Sequence, residues 1–269
     1  MSTPGSYDVR KEHRDTESEI ERLRAQALLH WEQEAAALTR FGLRDGMSVL
    51  ELGSGPGFIT EQLLRLVPGS TVTCLEIDSM LVERAREYLT GTGGDRLSFV
   101  NASIMDTGLP GNSFDFAYAR FLFQHLPDPT ASAREVLRVL KPGGKLVISD
   151  VDDALVVFEP RLPEFELALA RFAQAQAAQG GDRFIGRKLP RLLKGAGFRN
   201  PQIELPAFHT DVIGMEAALP QIDADRLLPL VQFGLLTQEE WDAARVARER
   251  FLESDPFIMM ALVMAGAEK

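Results

Sequence analysis

Val49-Leu50-Glu51-Leu52-Gly53-Ser54-Gly55-Pro56-Gly57 decides the fold. The first four residues close a short apolar, β-branched segment (47–52) that reads as a buried strand. The glycines then make a sharp turn in which the backbone can approach a ligand where a Cβ would clash. Residues 58–66 follow with Leu63, Leu64 and Val67 on one side, the pattern of a helix packed on a sheet. Strand, glycine turn and helix in that order are the start of a βαβ unit.

Downstream the alternation continues. Residues 70–77, 97–101, 113–119 and 145–151 read as strands, and 79–89 and 130–140 as helices. Such spacing implies right-handed crossovers and a parallel sheet. Upstream, Ile20, Leu23, Ala27, Trp31, Ala35 and Leu38 recur at helical steps, and Gly42 ends that helix. Beyond residue 151 the chain is less regular. It predicts helices at 164–179 and 187–196, a strand at 201–208, helical material at 215–253 and a final strand at about 257–266.

The glycine turn departs from a dinucleotide site in two ways. Phe58 stands where close helix–strand packing needs a small residue, and Pro56 removes an N–H that a pyrophosphate would use. The site reads as built for a nucleoside ligand without phosphates. At the tip of the second strand, Glu76 and Asp78 share a face, and either suits the two hydroxyls of a ribose. Asp78 also precedes Ser79-Met80-Leu81-Val82 as a helix N-cap.

Four segments, VLELGSGPG (49–57), VTCLEIDSML (72–81), NSFDFAYARFLFQHLPDP (112–129) and VLKPGGKLVISD (139–150), resemble in order and spacing the motifs of the class I S-adenosylmethionine-dependent methyltransferases. The resemblance covers roughly residues 45–152. It implies a doubly wound, seven-stranded, mostly parallel α/β sheet with an antiparallel last strand. Residues 1–44 would then be an N-terminal helical cap, and 45–269 a methyltransferase domain with helical insertions at about 154–182 and 210–254.

The resemblance also implies roles. Glu76 is the ribose carboxylate, with Ile77 beside it. Gly53 and Gly55 line the methionine end of S-adenosylmethionine, and Glu51 lies beneath that turn near the ammonium group. Met80 covers the nucleoside. Ile104 meets the adenine, with Ser103 standing where the family often has an Asp. Arg120 sits where it meets the cofactor carboxylate or the substrate. His125 is the candidate general base; His13 and His30, in the cap, read as solvated or core. Asp150, Asp152 and Asp153 cluster without a recognisable ligand spacing, so no metal is expected.

The remaining composition limits the acceptor. Lys plus Arg total 29 against 39 Asp plus Glu, a net charge of −10 that gives no general attraction to nucleic acid. The lone Cys74 excludes an intrachain disulfide and, lying within a strand, reads as core. The polar N-terminus has no signal-like apolar run, and the apolar stretch 256–267 is too short to span a bilayer. The expectation is a cytoplasmic enzyme methylating O, N or C of a small organic molecule, with no nucleic-acid or membrane partner. A protein side-chain methyltransferase and a non-catalytic cofactor binder are the alternatives. Nothing in the chain sets the oligomeric state, a homodimer included. Phe121, Phe123, Phe158, Phe165 and Phe208 are expected near a lidded acceptor site.

Overall fold

A computed structural model describes residues 6–7 and 16–269. Residues 1–5 and 8–15, which include His13 and the beginning of the expected cap, lie outside the described residues.

The glycine turn follows β1 (Ser48–Leu52) and opens α3 (Phe58–Leu66). The alternation predicted from the sequence continues through β2 (Thr71–Glu76), α4 (Ser79–Tyr88), β3 (Leu97–Asn101), β4 (Phe114–Arg120), α5 (Pro129–Val139) and β5 (Leu140–Asp150). With β7 (Arg199–Glu204) and β10 (Val263–Glu268) these strands form one seven-stranded sheet, ordered β3-β2-β1-β4-β5-β10-β7. Strands β1 to β5 pair in parallel, and β10 is antiparallel to both β5 and β7. The order reverses between β1 and β4, the switch point at which open α/β sheets bind ligands beyond their carboxyl ends.

Both faces of the sheet are covered. On one, α5 and α7 (Leu189–Ala196) bury Val136, Leu189 and Leu193 against Leu50, Ala117 and Ile148. On the other, α3 and α2 (Trp31–Phe41) bury Leu38, Phe41 and Leu63 against Val49, Phe116 and Tyr118. Cys74 belongs to this second core and is buried, as its place within a strand predicts. Asp78 caps α4 by accepting from Met80 N at 2.8 Å, and Asp128 caps α5 by accepting from Ala131 N at 2.8 Å. Gly42 ends α2 in the left-handed region, φ 112°.

Three expectations about elements change. The single apolar stripe of the cap is two helices, α1 (Thr16–Leu29) and α2, with a break at His30. The strand expected at 201–208 divides into β7 and β8 (Ala207–His209). The final strand also divides, at Leu262, into β9 (Phe257–Ala261) and β10. The released pieces, β8 and β9, join β6 (Val156–Glu159) in a second, three-stranded antiparallel sheet ordered β6-β9-β8. That sheet shares a third core with α6 (Pro163–Ala178) and the helix Gln238–Leu252, built on Phe158, Phe165, Phe251 and Ile258. Among the described residues, no helix is long and apolar enough to cross a membrane.

Candidate active site

Gly53 and Gly55 take φ of 67° and 54°, a region that costs an L side chain steric strain. A Cβ on Gly53 would stand 3.1 Å from Leu122 Cδ1, whereas one on Gly55 would meet nothing within 4 Å. Gly55 therefore faces open space at the carboxyl edge of the sheet, and only hydrogen atoms keep that space clear.

Glu76 closes one side of this space. Its carboxylate accepts from Gly55 N at 3.0 Å and from Asp78 N at 2.9 Å, so it clamps the glycine turn to the tip of β2. Burial raises its pKa, and the two backbone N–H groups partly offset that rise. Asn101 Nδ2 braces the same tip by donating to the carbonyls of Glu76 and Ile77 at 2.9 and 3.0 Å. The Ile77 side chain itself is exposed, Met80 is half-buried and Ile104 is buried. Ser103 Oγ accepts from Met105 N at 3.2 Å, which makes it the brace of its own turn.

Glu51 lies beneath the turn, fully buried. Thr60 Oγ1 donates to its carboxylate at 2.6 Å, and Cys74 Sγ lies 3.4 Å from the same hydroxyl. Burial pushes the Glu51 pKa up to about 8, so the group is protonated at neutral pH. Thr60 is a partner that sequence reasoning missed. Its one signal was a hydroxyl on the helix face otherwise given to Leu63 and Leu64.

Arg120 is engaged by the cap. Its guanidinium forks onto Glu34 of α2, with Nε 3.0 Å and Nη2 2.8 Å from the carboxylate, and Nη2 also donates to Gln26 O at 3.0 Å. Glu34 further accepts from Tyr118 Oη at 2.6 Å and Ser149 Oγ at 3.0 Å. Burial alone would raise the Glu34 pKa, but the Arg120 charge and these donors hold it below the ordinary value. The network bolts the cap to the carboxyl ends of β4 and β5. It also fixes Phe121, whose ring lies 4.5 Å from the guanidinium and whose φ is 51°. A bulky residue in that region is a strained conformation held by its surroundings.

Phe121 and Leu122 face different surroundings. Leu122 packs over Gly53, and Phe121 lines a cavity of about 130 Å³. Phe158, Phe165, Phe172 and Phe208 supply further aromatic wall. Phe123, also expected near the site, is instead fully buried in the sheet core. His30 enters the wall from the break between α1 and α2, buried and stacked on Phe208 with ring centroids 3.4 Å apart.

His125 is not part of that wall. Its Nδ1 lies 3.0 Å from Ser6 Oγ and 3.4 Å from Gln176 Nε2, and its ring is 5.2 Å from that of Tyr7. Burial, with the Arg183 and Arg22 charges, lowers its pKa to about 3. The three aspartates after β5 also go separate ways. Asp150 accepts from the Gln124 and Val151 N–H groups at 3.1 and 2.9 Å, Asp152 pairs with Arg187, and Asp153 pairs with Arg183 at 2.7 Å.

The glycine turn, the strand-tip acid and the adjoining cavity thus lie together at the switch point, where open α/β folds bind ligands. The sequence pattern of the family described as "Methyltransferase domain" matches residues 50–148. The chain is 34% identical over 113 residues to the ubiquinone/menaquinone biosynthesis C-methyltransferase UbiE of Hahella chejuensis, covering 41% of this chain and 45% of that one. It is 36% identical over 106 residues to the sterol 24-C-methyltransferase erg6 of Aspergillus fumigatus, covering 39% of this chain and 28% of that one. Thus the chain spans less than half the length of these curated relatives. The fold is similar to that of phosphoethanolamine N-methyltransferase 2 of Haemonchus contortus in complex with phosphomonomethylethanolamine and S-adenosylhomocysteine, with a TM-score of 0.56 and 19% identity over 89% of this chain and 52% of that one. Residues 50–148 thus carry the sequence pattern of a methyltransferase domain, on a fold similar to that of a known N-methyltransferase.

Proposed function

We propose that the chain transfers the methyl group of S-adenosylmethionine to O, N or C of a small organic molecule held in the aromatic cavity. One juxtaposition supports this reading: Leu122 packs over Gly53, next to the open space at Gly55, while its neighbour Phe121 lines the cavity. A protein side chain would call for a flat, open surface, whereas residues of the second sheet, α6 and the cap form the walls of this cavity.

The residues around the turn fit the cofactor. Open space over Gly55 admits its methionine end, and the buried Glu76 carboxylate accepts from a ribose. Glu51, beneath the turn, becomes a counter-charge for the ammonium once it loses its proton. Ile77, Met80, Ser103 and Ile104 border the adenine end. When bound, S-adenosylmethionine supplies a methyl carried on a sulfonium, a good electrophile that needs no covalent enzyme intermediate. The protein's task is to orient the acceptor in line with that methyl and to exclude water. Phe121, fixed by Arg120 and Glu34, holds the boundary at which the two meet. The cap and the segments at 154–182 and 210–254 act together as the lid.

Glu76→Ala tests the assignment. Losing charge-assisted hydrogen bonds to the ribose should weaken S-adenosylhomocysteine binding, measured by titration calorimetry, about 10- to 100-fold. Unchanged affinity would remove Glu76 from the site and this reading with it.

A further inference from the structure

We propose that His30 selects the methyl acceptor: an uncharged ring compound with one hydrogen-bond donor, seated in the aromatic cavity with that donor on the His30 imidazole. The inference rests on the reading of that cavity as the acceptor site and adds the chemistry of the acceptor to it.

Size comes first. A cavity of about 130 Å³ is close to the roughly 150 Å³ of an apolar protein cavity that holds benzene, so it suits one six-membered ring. The wall favours an aromatic or otherwise flat ring. Phe158 and Phe165 meet edge to face at 5.9 Å, and Phe121, Phe172 and Phe208 present further π surface.

Charge comes next. Asp152, Asp153 and Asp223 contribute carboxylates to the lining. Arg183 is the one cation among the described lining side chains, and it is already engaged. It forks onto Asp153 at 2.7 and 2.9 Å and donates through Nη1 to Gln124 Oε1 at 2.7 Å. An anionic acceptor would lie beside carboxylates, with no uncommitted cation among the described lining side chains to receive it, which opposes binding.

His30 supplies the specific contact. It is 4% exposed, and among the described residues no well-formed hydrogen bond reaches its Nδ1, the Leu29 backbone being a polar neighbour of the ring. Burial and the neighbouring Arg120 charge lower its pKa to about 4, so the ring is neutral and keeps one nitrogen as an acceptor. A buried acceptor without a partner is costly and uncommon, and in a wall facing a ligand cavity it implies a partner that arrives with the ligand. The break between α1 and α2 is what places His30 beside Phe208 in this wall.

Three probes of one shape separate the contributions: p-cresol, toluene and 4-methylbenzoate, each titrated by ligand-observed NMR without cofactor. The parent protein should bind p-cresol about five- to tenfold more tightly than toluene, with 4-methylbenzoate weakest. His30→Phe, its fold checked by circular dichroism, should keep toluene affinity and lose the preference for p-cresol. His30→Asn, which retains an acceptor, should keep part of that preference. Equal binding of p-cresol and toluene to the parent, a preference that survives in His30→Phe, or tightest binding of 4-methylbenzoate would each overturn the proposal. The first and third outcomes need only the parent protein. Cofactor binding is measured in a separate titration, so a failed methyltransferase reading shows there and not in the probe ranking.

Discussion

Replacing Glu34 by Ala would leave the Arg120 guanidinium buried without its counter-charge. In the parent, Glu34 is fully buried and Arg120 has 8% side-chain exposure. Four donor groups converge on the Glu34 carboxylate: Arg120 Nε and Nη2, Tyr118 Oη and Ser149 Oγ. Water cannot replace the lost carboxylate without entering the seam between the cap and the sheet. Breaking a buried pair from one side costs about 3–5 kcal/mol, most of it the desolvation of the stranded charge. For a chain of this size that corresponds to a fall of roughly 6–20 °C in the midpoint of thermal unfolding. Scanning fluorimetry of Glu34→Ala, Arg120→Ala and the double variant provides the assay. The double variant should lose less than the sum of the single losses, because it removes both charges together. The pH dependence has a fixed sign. The folded pKa of Glu34 is depressed, so its stabilisation is present above the ordinary carboxylate value of 4.5 and is lost as the pH falls through the lower folded value. Glu34→Gln should therefore show a smaller loss of stability on acidification. An unchanged midpoint in Glu34→Ala, or strictly additive losses in the double variant, would refute the argument.

Two further predictions concern the turn. Glu51, raised to about 8, is protonated at pH 7, and a nearby ammonium group favours its carboxylate, so cofactor binding should release up to about one proton. Calorimetry in buffers of different ionisation enthalpy measures this release; Glu51→Gln should abolish it, and a buffer-independent heat in the parent would contradict the assignment. In the empty protein the same raised pKa means that Glu51's stabilising contribution is complete below 4.5 and is lost as the pH rises to about 8. Gly53→Ala combines a φ of 67° with a Cβ 3.1 Å from Leu122, and should cost about 1–2 kcal/mol in urea denaturation with a displaced Leu122; a neutral substitution would show that the turn tolerates a side chain.

What the sequence disclosed was local in kind. The strand–turn–helix around Gly53, the Asp78 cap and the Gly42 stop each depend on a few adjacent residues, and each appears where the pattern placed it. The division of the final strand was hidden because residues 256–267 are apolar almost throughout, so no change of period marks Leu262 as the point where one sheet hands over to the other. The pairing of Arg120 with Glu34 was hidden because the two residues are 86 positions apart on separate elements. His30 and Phe208 are farther apart still, and no periodicity within either segment announces that their rings stack. Thr60 was passed over for a related reason: its proton serves Glu51, a residue on the preceding strand that reads as core by its neighbours.

The handover at Leu262 has an engineering consequence. One residue joins β9, in the sheet over the cavity, to β10, which lies between β5 and β7 in the main sheet, and Leu262 N is itself held to Pro206 O at 3.0 Å. The roof is therefore no detachable module. A graft that exchanged it for another enzyme's roof to change acceptor preference would cut into the central sheet, unless the donor segment carried its own version of β10 and matched the register Val263–Asp150 through Glu268–Lys145. On the proposed reading of the cavity, acceptor preference is more safely retuned from within its wall, one side chain at a time, than by transplanting its cover.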